Sequence, residues 1–180
     1  MRVIAGTARS VPLKTLDGLE TRPTTDRVKT SMFNIIQFEI AGKTVLDLFG
    51  GSGQLGIEAL SRSASSAVIV DQNPAAIAVI RENLKKTNLF ERAEVVQCEA
   101  TAYLEKTKKH FDLIFLDPPY AENLLETCVK RISEIDILKS GGIIICERPL
   151  EKPLSDAYNG FHAPRDYRYG KTVITLLRKE

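Results

Sequence analysis

Between residues 43 and 147, short apolar runs alternate with amphipathic helical patterns, and this alternation constrains the fold more than any other feature of the chain. The runs are Thr44–Phe49, Ala67–Asp71, Glu94–Gln97, Phe111–Asp117 and Gly142–Glu147. They are rich in Val, Ile and Leu and lack a polar alternate face, as expected of parallel strands covered on both sides. In the intervals, Asn73-Pro74 reads as an N-cap with proline at the first helical position, and Ile77, Ile80 and Leu84 recur at helical spacing. The pattern predicts a doubly wound α/β fold whose ligand site lies at the carboxyl ends of the strands.

Both ends depart from the alternation. Beyond Glu147 come two further strand-like segments, Phe161–Arg168 and Thr172–Arg178, joined by a turn carrying Tyr169-Gly170. Strands joined so closely pair antiparallel. The expected sheet is therefore seven-stranded and mostly parallel, ending in an antiparallel C-terminal hairpin. That Rossmann-like arrangement is the one of class I methyltransferases, and most dinucleotide-binding domains lack it. Before residue 43, Arg2–Ala5 and Val11–Leu16 suggest a small β-hairpin, and Asp26–Ile40 a helix with Val28, Met32, Ile35 and Ile36 on one face. The chain reads as a single domain, with residues 1–42 as an N-terminal extension and residues 43–180 as the catalytic core.

Asp47-Leu48-Phe49-Gly50-Gly51-Ser52-Gly53-Gln54-Leu55-Gly56 joins the first strand to a helix, and Gly51, Gly53 and Gly56 satisfy G-x-G-x-x-G. Asp71, with Gln72 after it, falls at the tip of the next strand, where a ribose-binding acid belongs. A dinucleotide would meet an obstacle in Asp47, because a carboxylate beside the loop repels the pyrophosphate that such loops cradle. S-adenosylmethionine has no phosphate and carries an ammonium and a sulfonium, both of which favour a nearby carboxylate. Glu99 and Ala100 end the third strand, where the fold borders an adenine ring.

The run Phe111–Leu116 leads into Asp117-Pro118-Pro119-Tyr120. The prolines stop the strand and stiffen the backbone. An acid, a fixed carbonyl and an aromatic ring suit the grip of a planar base bearing an exocyclic amine. Asp117 would accept one N–H and the Pro118 carbonyl the other, aiming the nitrogen lone pair at the methyl donor, while Tyr120 stacks on the base. Such a base must be unstacked or looped out to reach the pocket.

Composition adds limits. The net charge of the 180 residues is only +2, so basic residues matter by position. Arg9 and Arg22 near one end and Arg168 and Lys171 near the other, with Tyr169, are candidates for contacting RNA. Cys98, Cys128 and Cys146 fit neither a disulfide framework nor a metal-ligand spacing, so no metal and a reduced, cytoplasmic setting are expected. Cys98 and Cys146 read as core residues, and Tyr103 and Tyr167 as packing residues. His110 and His162 are isolated and receive no catalytic role. The start of the chain lacks the apolar stretch of a signal peptide, and no run is long enough to span a membrane.

Over nearly its full length the chain resembles the bacterial 16S ribosomal RNA guanine-N2 methyltransferase family. The resemblance rests on Arg2-Val3-Ile4-Ala5-Gly6, Arg22-Pro23-Thr24-Thr25-Asp26-Arg27-Val28, Leu46–Gly53, Gly56–Arg62, Asp117–Tyr120 and Tyr169-Gly170. It implies that Arg22–Arg27 wraps the methionine end of the cofactor, with Thr24, Thr25 or Arg27 near its carboxylate. It also implies a guanine of small-subunit RNA as substrate, in the 30S particle or an assembly intermediate. The chain departs from the family pattern at Asp71 and Glu99, where Glu and Asp are usual, at Ser63 in place of glycine, and at Lys171, where an acid is common. Two other readings stay open on sequence: adenine-N6 methylation, whose DNA enzymes commonly add a recognition domain, and an NAD-dependent oxidoreductase using the glycine loop.

Overall fold

The computed structural model describes residues 1–16, 26–119 and 123–180. Thr24, Arg22 and Tyr120 lie outside the described residues. The elements run α1 (Asp26–Ile35), β1 (Thr44–Asp47), α2 (Gln54–Ser61), β2 (Ser66–Asp71), α3 (Pro74–Lys86), β3 (Ala93–Gln97), α4 (Ala100–Lys106), β4 (Phe111–Leu116), α5 (Leu124–Ile135), β5 (Leu138–Pro149), β6 (Arg165–Tyr169) and β7 (Thr172–Arg178). A single 310 turn, Phe90–Arg92, precedes β3.

The strands form one seven-stranded sheet in the order β3-β2-β1-β4-β5-β7-β6. β1 to β5 are mutually parallel, and β7 runs antiparallel to both β5 and β6. This is the class I methyltransferase fold expected from the alternation of apolar runs. Strand order reverses between β1 and β4, so the crevice at their carboxyl ends is the topological switch point where open α/β sheets bind ligands.

Each face of the sheet has its own core. Val45, Ile69, Leu113, Phe115, Ile145 and Ile174 face α1, α2 and α3. Leu46, Val70, Ile114, Leu116, Ile144 and Leu177 face α4 and α5. Strands buried on both sides have no polar alternate positions to display, which is why the runs read as continuous.

Local differences from the sequence expectation have local causes. The N-terminal segments pair through one bridge, Arg2 with Pro12, and hydrogen bonds from Val3 N–H to the Val11 carbonyl (3.0 Å) and Ser10 N–H to the Val3 carbonyl (2.9 Å). The Leu13 N–H donates to the Met1 carbonyl at 3.1 Å, so the pairing spans both sides of Pro12 yet amounts to one bridge and not the expected hairpin of two strands. Helix α1 stops at Ile35 rather than Ile40, and Phe33, absent from the predicted face, is fully buried. Strand β6 begins at Arg165 and not at Phe161, which keeps only an isolated bridge to Lys179, since Pro164 interrupts pairing. Cys146 is buried as expected, whereas Cys98 is half-buried. Tyr103 is buried and Tyr167 packs half-buried against the core, while His110 and His162 are exposed.

Candidate active site

Four acidic residues stand at the carboxyl ends of adjacent strands. Side chains alternate along a strand, so Asp47 shares the face of Val45, Asp71 that of Ile69, and Glu147 that of Ile145. Asp117 directly follows β4 and continues the alternation of Leu113 and Phe115. All four therefore lie toward the side covered by α1 to α3.

The glycine loop sits among them. Gly53 caps α2 with φ +79°, and Gly51 has φ +56°, left-handed conformations that glycine adopts without strain. The Gly51 N–H donates to Asp71 Oδ2 and the Asn73 N–H to Asp71 Oδ1, both at 2.8 Å, so the ribose-candidate acid is held in place by its own loop and the next. Gln72 lies exposed between them. Asn73 caps α3 by accepting from the Ala75 N–H, as its position before Pro74 predicts.

Asp47 is 1% exposed. Its Oδ2 accepts from the Gly56 N–H at 2.9 Å, while its Oδ1 is buried without a hydrogen-bond partner. Burial pushes its carboxyl up to about 7; hydrogen bonding from the Gly56 backbone and, more weakly, from that of Phe49 opposes this, and the neighbouring charge of Asp71 adds to it. A buried carboxylate oxygen without a partner, next to a glycine loop, fits a cationic group and does not fit a pyrophosphate. The residues present thus suit S-adenosylmethionine or its product.

A pH dependence follows. With its folded pKa raised above the unfolded carboxylate value, Asp47 favours the ligand-free fold in its protonated form. That contribution is present at acid pH and is lost as pH rises from about 4 to about 7. A cation binds the ionised form, so affinity should rise with pH through the same range. Calorimetry of S-adenosylhomocysteine binding at pH 6, in buffers of different ionisation enthalpy, should register release of about one proton, fading by pH 8. Asp47→Asn should abolish the release; a proton count unchanged in that variant would contradict the role.

Glu99 and Ala100 open α4. Glu99 accepts from the N–H groups of Thr101 (3.0 Å) and Ala102 (2.9 Å) and from the Thr101 hydroxyl. Burial pushes its carboxyl up, but these hydrogen bonds outweigh it and hold the carboxyl below its usual range. The side chain is a helix cap first, and any contact with a ligand would be shared with that duty. Ala100 is buried beneath it.

Asp117 is half-buried, Pro118 buried and Pro119 exposed. Pro118 and Pro119 border a cleft of about 420 Å³, its mouth included, whose other walls are the start of α5, the end of β5 and residues Lys152 to Leu154. The β6–β7 turn reaches the same edge, because Tyr169 pairs with Thr172, which in turn pairs with Pro149. The Leu150 N–H donates to the Lys171 carbonyl at 3.0 Å, so exposed Arg168 and Lys171 and half-buried Tyr169 flank the cleft. Arg9 does not join them. Its turn is tied to the far end of α2, where the Thr7 N–H donates to the Ser61 carbonyl and the Ala8 N–H to Ser61 Oγ; α2 starts at the carboxyl end of β1 and runs back along the sheet, so its far end lies toward the amino ends of the strands. Arg27 is exposed in the first turn of α1.

Several supporting residues escaped the sequence reading. Asn83 accepts from the Lys14 N–H and donates to the carbonyls of Lys14 and Ser52, tying the glycine loop to the N-terminal segment. Its signal was a polar residue next to Leu84 on an otherwise apolar helix face. Glu58, fully buried in α2, accepts from the N–H groups of Ile4 (2.8 Å) and Ala5 (3.0 Å) and pairs with Lys29 and Arg62. Two of the segments that carried the family resemblance, Arg2–Gly6 and Gly56–Arg62, therefore bind each other.

Comparison with known proteins agrees with this geometry. The family model described as "Conserved hypothetical protein 95" matches residues 1–178. The chain belongs to this family. A Bacillus subtilis relative, YlbH, is 40% identical over 182 residues, covering 99% of each chain. Ribosomal RNA small subunit methyltransferase D of Haemophilus influenzae is 36% identical over 157 residues, covering 86% of this chain and 81% of that one. The solved structure of yhhF from Escherichia coli superposes with a TM-score of 0.89 at 32% identity, covering 100% of this chain and 98% of that one. As a family member, the chain carries its glycine loop and its Asp117-Pro118-Pro119 segment on the two strands that flank the switch point.

Proposed function

We propose that this protein methylates the exocyclic N2 amine of a guanine in 16S ribosomal RNA, using S-adenosylmethionine. The observation that carries the reading is the pairing of β1 with β4, which sets a buried, half-partnered Asp47 beside the Asp117-Pro118 tip. One strand end is built for a cation and its neighbour for an amine. The cofactor supplies an electrophilic methyl on a sulfonium. Asp47 meets its cationic end, Asp71 accepts from the ribose hydroxyls, and Gly51 and Gly53 let the backbone approach closely. Glu99 and Ala100 border the adenine.

On the substrate side, Asp117 accepts one N–H and the Pro118 carbonyl the other, drawing the amine lone pair out of conjugation and toward the methyl. Positioning and electrostatics do most of the work, and a strong base is not needed because the nitrogen becomes acidic once methylated. Tyr120 stacks on the base. Arg168, Tyr169 and Lys171 hold the flanking RNA, and Thr24 or Arg27 reaches the carboxylate of the cofactor. The small-subunit relative supports ribosomal RNA as the target and hence action in the cytoplasm, on the 30S particle or a precursor of it. Among the described residues no helix is long and apolar enough to cross a membrane.

Methyl transfer to unmodified 16S RNA, 30S particles and duplex DNA tests this directly. We expect incorporation into one ribosomal substrate, mapping to a single N2-methylguanine by mass spectrometry. Methylation of DNA adenine and of neither ribosomal substrate would overturn the reading in favour of an adenine-N6 enzyme.

A further inference from the structure

We propose that Glu147 is the residue that selects guanine over adenine, by accepting the guanine N1–H. The inference rests on the guanine-N2 reading above. Glu147 lies in β5 one residue beyond Cys146, whose partner across the sheet is Leu116. It therefore stands opposite Asp117 on the neighbouring strand, on the same face, and it lines the cleft with Pro118, Asn123 and Pro153. The residue is 6% exposed, so its side chain is packed within the strand tips and not spread into solvent.

The adjacent cation is committed elsewhere. Arg148 points to the opposite face, where its guanidinium donates to Thr175 Oγ1 at 2.9 Å, to the Asp166 carboxylate, and to the Pro149 and Lys152 carbonyls at 3.3 Å. Those bonds pin the segment after β5 that forms the far wall. Arg148 thus shapes the cleft from the other face of β5.

The chemistry of the two purines decides what such an edge accepts. Guanine presents N1–H beside its N2 amine, so both are donors. Adenine presents a lone pair at N1 beside its N6 amine. An ionised carboxylate is an acceptor only. Neighbouring strands lie about 4.8 Å apart, so with the amine held at Asp117 and Pro118 the next strand tip falls alongside the ring edge. There a carboxylate bonds guanine N1–H and repels adenine N1. Sites that hydrogen-bond a required donor reject analogues lacking it far more strongly than apolar pockets do.

The test uses 2-aminopurine, which keeps the N2 amine but has an acceptor at N1. Ligated 16S RNA carrying guanosine or 2-aminopurine riboside at the methylated position, free and in 30S particles, would be assayed with wild type and Glu147→Gln. Wild type should favour guanosine by about 100-fold or more in kcat/KM. The amide can donate to N1, so Glu147→Gln should shrink that ratio at least about tenfold while S-adenosylhomocysteine binding stays unchanged. If the variant is too slow on both RNAs, the same ratio is read from competitive binding, with 2-aminopurine fluorescence reporting the unstacked base. Guanine methylation by wild type with an unchanged ratio in the variant would overturn the role of Glu147 alone. Absence of methyl transfer to any guanosine RNA by wild type would overturn the functional reading and this inference with it.

Discussion

Asp117→Ala should lower methyl transfer by about 100- to 1,000-fold while S-adenosylhomocysteine binds within about twofold of wild type, the scale seen when one preorganised polar group is removed from a reacting centre. The separation of the two readouts follows from the sheet. The proposed cofactor residues sit at the ends of β1, β2 and β3, whereas Asp117 follows β4, on the other side of the switch point. The amine of a purine is a weak nucleophile because its lone pair is shared with the ring, and in the proposed mechanism the carboxylate holds one N–H so that the lone pair turns toward the methyl. Asp117→Asn keeps an acceptor oxygen and the size of the side chain, so its loss should be smaller than that of alanine. Single-turnover rates with calorimetric binding would check both. Unchanged turnover in Asp117→Ala would remove the residue from the chemistry.

The positions of the candidate site residues were legible because each is coupled to a strand end. Asp71 and Asp117 each close an apolar run and Asp47 lies two residues before the end of one, and a run buried on both sides announces where its strand stops. The antiparallel hairpin was equally legible, since two strands separated only by Gly170 and Lys171 can pair in no other sense. Residues whose meaning depends on a partner far along the chain could not be read this way. Glu58 looks like one acid among many in a helix, and only the docking of Ile4 and Ala5, 54 and 53 residues away, makes it a buried acceptor. Arg9 fails for the same reason. Its charge is evident in sequence, but the pairing of Ala8 with Ser61 carries it to the far end of α2, away from the carboxyl ends of the strands. Glu99 shows a third case, in which one side chain satisfies a local rule and a functional one at once. Its capping bonds to Thr101 and Ala102 follow from its place before α4.

Glu58→Ala should destabilise the fold by about 3–5 kcal/mol, the usual cost of breaking a buried ion pair by removing one partner. The side chains of Glu58 and Lys29 are both fully buried, and they approach to 3.6 Å. Burial already pulls the Lys29 ammonium below its usual pKa, with Glu58 the chief group opposing that fall. Removal of the carboxylate leaves the ammonium with the Arg2 carbonyl, 2.7 Å away, and strips the Ile4 and Ala5 N–H groups of their acceptor. For a chain of this size the melting temperature should fall by about 6–20 °C. The loss has a second consequence, because the same α2 begins at the glycine loop. Gly6 has φ +84°, and a Cβ there would stand 1.8 Å from the Ser61 carbonyl oxygen, so the N-terminal segment and the end of α2 fit together only with glycine at that place. A segment released from Glu58 also ceases to brace Asn83 and, through it, the Ser52 carbonyl. Cofactor affinity should therefore weaken in Glu58→Ala even well below its melting temperature. Replacing both members of the pair, as Glu58→Gln with Lys29→Met, should recover part of the stability, since no buried charge is then left alone. Calorimetric unfolding of the three proteins checks the order. A melting temperature of Glu58→Ala within 2 °C of wild type (less than about 1 kcal/mol) would show that the buried pair does not hold the N-terminal segment in place.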